Sequence, residues 1–178
     1  MSKIQLLTAD DRDAFLPDLI SLLQNCVNSG ASVGFIPPLS KAFAEEYWKA
    51  VFEGIASGHQ LLVVAIRDQR VVGSVQLALA TKQNAAHRAE VQKLLVHTGN
   101  RRFGIAKDLL SELEIIARNA GRTLLVLDTE QASAAENLYR KCGYTESGVI
   151  PNFALNADGV LISTVVFYKL LSTPAQND

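Results

Sequence analysis

The sequence predicts an α/β domain of the mixed α+β kind: one central, mostly antiparallel sheet of about seven strands with about four helices on both faces. Three observations carry this expectation. Apolar, β-branched segments come first as a meander and then alternate with segments of helical period, a pattern that closes into one sheet covered on each side. A strand-like run ending at Val96 passes through a basic, glycine-containing turn into a long amphipathic stretch. A chain of 178 residues, 48% hydrophobic and 20% charged, fits one domain with a core of its own, assigned to residues 1–172, with a flexible tail at 173–178.

The elements follow in order. Ile4 to Leu7 reads as a first strand, and Thr8 or Asp10 can cap the helix after it. Phe15/Leu16, Leu19/Ile20, Leu22/Leu23 and Cys26/Val27 recur at steps of three and four, and Gly30 stands where that helix should end. Ser29 to Ser40 is a turn-rich connector that nonetheless holds Val33, Phe35 and Ile36, so it either plugs the core or lines a ligand mouth. Ser40 can cap a second helix with Phe43, Tyr47, Val51 and Ile55 on one face, widened by Trp48 and Phe52, and these aromatics read as core. Gln60 to Arg67 and Val71 to Ala80, parted by Asp68-Gln69-Arg70, read as an antiparallel hairpin. Ala89 to Val96 is the next strand, and Ile105, Leu109, Leu113 and Ile116 mark the third helix, closed by Gly121. Thr123 to Leu127 is a short strand ending in Asp128-Thr129-Glu130, and a helix from about Ser133 to Lys141 ends at Gly143. Tyr144 to Ile150 and Ser163 to Leu170 close the sheet, joined by a loop holding Pro151, Asn152, Asn156, Asp158 and Gly159.

The turn from His97 to Ala106 has a physical use. The first amides of a helix lack partners inside it, and the helix dipole puts partial positive charge there, which suits a phosphate. Gly104 permits φ > 0 or a close approach to a bulky anion, and Arg101 and Arg102 add donors matched to phosphate oxygens. On such sheets ligands bind beyond strand carboxyl ends, where Val96 and Asp128 are both expected.

Arg101-x-x-Gly104-x-Ala106, preceded by Glu90-Val91-Gln92-Lys93-Leu94-Leu95-Val96 and followed by Leu109-Leu110, resembles the coenzyme A-binding motif of the GCN5-related N-acetyltransferase (GNAT) superfamily. Ala135 to Tyr144, a helix bearing Tyr139 and followed by Gly143-Tyr144, resembles the second signature of that family in the family's order. Gly30 to Phe35, Arg88 to Leu94 and Leu127 to Glu130 are similar to the tabtoxin-resistance acetyltransferases, the closest likeness within the superfamily. The chain departs from the pattern at Thr98, where many members have Pro, at Arg102 and Ala106, which replace frequent glycines, and at Ser133, a place often held by Asn.

The resemblance implies transfer of an acetyl group from acetyl-CoA to a primary amine of a small molecule, an amino-acid-like toxin or antimetabolite being one such acceptor. It implies cofactor contacts at Leu94, Leu95, Val96, Arg101, Arg102, Phe103, Gly104, Ile105, Ala106, Ser133 and Asn137, and an acceptor wall at Ser32, Val33, Gly34 and Phe35. An amine is mostly ammonium at neutral pH, so a carboxylate must take a proton; Glu90, which interrupts an apolar strand, and Asp128, which closes one, are the candidates. Tyr139 is the candidate proton donor to the leaving thiolate, and a main-chain amide near Leu94 to Val96 the candidate oxyanion donor. No nucleophile-elbow Ser or Cys/His pair is present, so direct attack in a ternary complex is expected. Two other readings share the fold: a non-catalytic acyl-CoA sensor, and an acetyltransferase for protein amino termini or lysines.

A formal net charge of -1 and the lack of a basic, aromatic-interleaved run argue against nucleic-acid binding. Apolar runs such as Leu61 to Ile66 are far too short to cross a bilayer, so a cytoplasmic monomer or homodimer without membrane contact is expected. Cys26, Cys142, His59, His87 and His97 show no ligand spacing; reduced thiols and no metal are expected.

Overall fold

The computed structural model describes residues 2–172, and the tail expected at 173–178 lies outside them. Seven strands form one sheet: β1 (Lys3–Leu7), β2 (Gln60–Arg67), β3 (Arg70–Leu79), β4 (Arg88–Val96), β5 (Leu124–Glu130), β6 (Thr145–Leu155) and β7 (Leu161–Leu170), in the order β1-β2-β3-β4-β5-β7-β6. Every neighbouring pair is antiparallel except β4 and β5. Helices α1 (Arg12–Asn28) and α2 (Lys41–Ala56) follow β1, α3 (Ile105–Asn119) links β4 to β5, and α4 (Ala134–Lys141) follows β5.

Side chains alternate across the sheet and feed two cores. Leu62, Val64 and Leu95 join Leu19, Leu23, Trp48 and Phe52 of α1 and α2 on one face. Val63, Val75, Leu125 and Phe167 join Leu109 and Leu113 of α3 and Tyr139 of α4 on the other. A strand buried on both faces reads as a continuous apolar run, as Leu61 to Ile66 does. Asp68 and Gln69, at φ 50° and 60°, make the tight β2–β3 turn that matches strand twist.

Three expectations are corrected. The buried stripe of α2 is Ala44, Trp48, Val51 and Phe52, while Phe43 is 66% exposed; the small Ala44 faces the core, and the helix sits rotated from the aromatic stripe. Strand β5 continues through Asp128 to Glu130, because those residues pair with Val166 to Thr164 of β7, so Asp128 lies within the strand and does not end it. Strand β6 likewise continues past Pro151 and Asn152 to Leu155, which leaves only residues 156–160 as the loop. An edge strand tolerates the missing proline N–H, and a register shift between Ile150 and Ala154, with Asn152 at φ 53°, absorbs the irregularity.

Candidate active site

The sheet opens at its centre. Strands β4 and β5 pair at Arg88↔Leu124, Ala89↔Leu125 and Glu90↔Val126 and then part, β5 staying with β7 and β4 with β3. A wedge follows, with the second half of β4 along one side and residues 127–130 along the other. Leu95 pairs with Ser74, and the His97 N–H donates to the Val72 carbonyl at 2.9 Å. Alternation along the ladder then turns the amide and carbonyl of Val96 away from β3, toward the wedge. The carbonyl is already engaged, accepting from Arg101 Nε at 3.3 Å and Cys26 Sγ at 3.5 Å.

The turn beyond β4 ends in a bare helix start. Gly104 is the N-cap of α3 at φ 81°, with no side-chain cap, and the first intrahelical bond is Asp108 N–H to the Gly104 carbonyl. The amides of Ile105, Ala106 and Lys107 therefore precede any partner within the helix. A Cβ on Gly104 would meet nothing within 4 Å, so glycine is needed there for its left-handed backbone. Arg101 and Arg102 are exposed and form no ion pair among the described residues; Phe103 is 63% exposed beneath the Arg67 guanidinium at 5.0 Å. Ile105 instead puts its side chain in the core, as Leu95 does. Open amides, two cations without a carboxylate partner among the described residues and a strand edge facing a wedge suit a ligand with a diphosphate and an amide-bearing arm, which is the chemistry of coenzyme A.

The carboxylates stand on the α1/α2 face of the wedge. Ala89 and Val91, and Leu125 and Leu127, point to the α3 core, so Glu90 and Asp128 point the other way. Glu90 accepts from Gln92 Nε2 at 2.9 Å; Asp128 accepts from the Thr164 hydroxyl at 2.8 Å and caps no turn. Tyr139 sits at 6% exposure against Tyr144 and Phe167, with ring centroids 5.5 and 6.2 Å away. Burial, then the charge of Asp128, pushes its phenol above the ordinary range, so it holds its proton. On α4, Ser133 Oγ is the N-cap acceptor for Glu136 N–H at 3.1 Å, and Asn137 Nδ2 donates to the Ser133 carbonyl at 3.3 Å. Both are therefore occupied within α4.

The sequence reading missed Lys93, Tyr47 and Gln76. Ser74 faces Leu95 and Gln76 faces Gln92, so β4 carries one residue more than β3 here, a β-bulge with Lys93 at φ 48°. The extra residue brings Lys93 to the face of Glu90 and Gln92, where Nζ lies 5.8 Å from the Phe35 ring and 5.7 Å from the Tyr47 ring. Within the connector, Val33 and Phe35 pack on the α1/α2 core, so they plug it, and Phe35 also meets the edge of Tyr47 at 5.2 Å. Gly34 faces the same ammonium, its Cβ position 3.6 Å from Lys93 Nζ, while Ser32 is exposed. Two recesses elsewhere, of about 290 Å³ by Arg67, Arg70 and His97 and about 330 Å³ between α3 and α4, contain none of the three catalytic candidates.

Comparison with known proteins gives this geometry a family. A family model described as an acetyltransferase (GNAT) domain matches residues 58–146. An N-acetyltransferase of Azospirillum brasilense, itself uncharacterised and encoded between hisH and hisA, is 30% identical over 118 residues, 65% of this chain and 68% of that protein. A ribosomal-protein-alanine N-acetyltransferase from Brucella melitensis superposes with a TM-score of 0.77 at 23% identity over 95% of this chain and 99% of its own. A Salmonella typhimurium protein assigned as an acetyltransferase and solved with its cofactor acetyl-CoA gives 0.78 at 18% identity over 100% and 98%. No described helix is long and apolar enough to cross a membrane. The wedge, the bare helix start and the matched profile converge: this chain belongs to the GNAT family of acetyl-CoA-dependent N-acetyltransferases.

Proposed function

We propose that residues 1–172 act as one unit that acetylates the primary amine of a small molecule by direct attack in a ternary complex. The observation that carries this reading is the split between β4 and β5, with Glu90 and Asp128 on one face of it and the uncapped start of α3 at its end. Acetyl-CoA supplies the acyl group, activated as a thioester. Ile105, Ala106, Arg101 and Arg102 would hold its diphosphate, with Phe103, Ser133 and Asn137 beside it. The backbone of Leu94 to Val96 would hold its arm, chiefly through amides, since the Val96 carbonyl already has donors.

Glu90 or Asp128, directly or through water, takes the proton that makes the amine nucleophilic. A main-chain amide of Leu94 to Val96, the Val96 amide being turned toward the wedge, would donate to the negative charge that develops on the carbonyl oxygen. Tyr139, kept protonated by burial, offers its proton to the departing sulfur. The resemblance of Gly30 to Phe35 to the tabtoxin-resistance acetyltransferases supports an amino-acid-like acceptor, and the seating of Phe35 and Tyr47 against Lys93 favours a small acceptor over an extended peptide. The exposed apolar row Val149, Ile150, Phe153 and Leu155 on edge strand β6 favours the homodimer over the monomer.

The test is a panel of amines assayed by free thiol release from acetyl-CoA. Release with small amines and not with an alanine-terminated peptide is expected. Release with the peptide alone would point to the activity named for the Brucella relative, and tight coenzyme A binding with no release would point to a sensor.

A further inference from the structure

Around Lys93 the acceptor side of the wedge carries a charge pattern that the transfer reaction does not need. The bulge in β4 places this ammonium beside two adjoining aromatic rings, on the same face as Glu90 and Asp128, yet it forms no ion pair among the described residues. Burial pushes the ammonium below the usual lysine range, against the pull of those two carboxylates. A half-buried charge without a direct partner costs free energy unless a ligand supplies one.

A second group lies in the same cluster. Gln76 is fully buried, and its Oε1 accepts from the Tyr47 hydroxyl at 2.9 Å and from Gln60 Nε2 at 2.7 Å, while its Nε2 has no partner. The side chain of Tyr47 touches both ends of the cluster, one by hydrogen bond and the other by its ring. An unmet buried donor and an unpaired ammonium are both short of an acceptor.

We infer that Lys93 is the specificity-determining residue of the acceptor site, reading a carboxylate on the same small molecule whose amine is acetylated, with the Tyr47 ring beside it held by the hydrogen bond to buried Gln76. This rests on the transfer reading above and names its substrate class. The pattern is complementary to a zwitterion: the acceptor's ammonium faces Glu90 and Asp128, and its carboxylate faces Lys93. A plain diamine would set a second positive charge against Lys93. A peptide amino terminus, whose carboxyl is tied up in an amide, would leave Lys93 unpaired, and that is how such a site rejects it.

The experiment is calorimetric titration of proteinogenic L-amino acids, each beside its own carboxamide, into the protein saturated with coenzyme A, repeated for K93M and K93R. Thiol release with acetyl-CoA is measured on the same pairs. At least one acid is expected to bind about tenfold or more tightly than its amide, the loss that follows from removing one charged hydrogen bond. K93M should bring that ratio close to one, with the change in KM more than in kcat and coenzyme A affinity unaltered, and K93R should restore part of it. An acid preference that survives K93M, or no acid preference for any pair, would overturn the inference even if thiol is released. A Lys93-dependent preference without thiol release would uphold it as a binding statement and sink the transfer reading. Should K93M unfold, K93R and the acid-to-amide ratio of the unaltered protein still decide.

Discussion

The two ends of the wedge are built by opposite means. At the cofactor end the ligand would meet backbone: the amides at the start of α3, a glycine in a left-handed conformation, and the strand edge at Val96. At the acceptor end it would meet side chains from three separate places, namely Phe35 in the connector, Tyr47 on α2 and Lys93 on a bulge in β4, with Gln76 of β3 buried behind Tyr47. A backbone site is set by a few consecutive residues and can serve a cosubstrate common to many enzymes. A side-chain site can be changed one residue at a time while the fold stays put, which is where acceptor choice belongs.

The largest expected effect tests whether these ends meet at Tyr139. Removing its hydroxyl in Tyr139→Phe should lower kcat about a hundredfold, the usual scale for a positioned proton donor. Coenzyme A affinity should stay within about twofold, since the same ring still fills the space beside Tyr144 and Phe167. Steady-state assays of thiol release together with calorimetry separate the two. Unchanged turnover would remove Tyr139 from the chemistry.

Next comes the backbone end. Gly104→Val asks a β-branched residue to adopt φ 81°, at a cost of about 1–2 kcal/mol, and puts its side chain in the space open before the helix start. Coenzyme A should bind about tenfold or more weakly, with KM for the amine little changed. Equal damage to both constants would mean that the two ends are not independent.

That asymmetry also decides what the sequence could reveal. The strand, turn and helix around Gly104 are contiguous, so the pattern of residues carried that local geometry directly, and the meander with its helical crossings implied the seven strands of one mixed sheet, but not that β7 lies between β5 and β6. Lys93 was not legible, because strict alternation assigns it to the face of Val91, and the extra residue that turns it to the face of Glu90 and Gln92 shows only in the pairing of β4 with β3. Tyr47 lay on a stripe that reads equally well as core. The rotation that exposes Phe43 and buries Ala44 depends on how α2 meets α1, and no local period encodes that. Asp128 was visible as a residue, but its place inside β5 depends on pairing with β7, which lies far away in the chain.

A smaller effect concerns the stability of the acceptor end. Burial pushes the Tyr47 phenol up to about 12, against a hydrogen bond to Gln76 that lowers it. A folded-state value above the unfolded one of about 10 means that the native chain keeps a proton which the unfolded chain loses. The stabilisation is full below about pH 10 and is lost as pH rises through about 12, up to about 3 kcal/mol for this group. Urea unfolding at a series of pH values should show that alkaline decline, and Tyr47→Phe should flatten it. A slope unchanged in the variant would assign the decline to the other buried phenols, Tyr139 and Tyr144, whose values are raised in the same direction.

The smallest expected effect bears on α4, which follows β5 and packs against it on the α3 side. Ser133 stands where the family often has Asn beside the coenzyme A arm, yet its hydroxyl is the acceptor that caps α4 through Glu136 N–H. Substituting Ser133→Ala should cost about 1 kcal/mol of stability, since a lost N-cap leaves one helix amide unmet. Ser133→Asn should cost almost none, because Asn caps as well as Ser does. If the hydroxyl serves only the cap, coenzyme A affinity should follow neither substitution, and thermal unfolding with calorimetry on both variants tests this. A gain in affinity for the Asn variant would mean that the longer amide reaches the arm while still capping the helix. A loss for the Ala variant beyond what destabilisation explains would mean that the serine hydroxyl does both jobs, and that the cofactor end draws on a side chain after all.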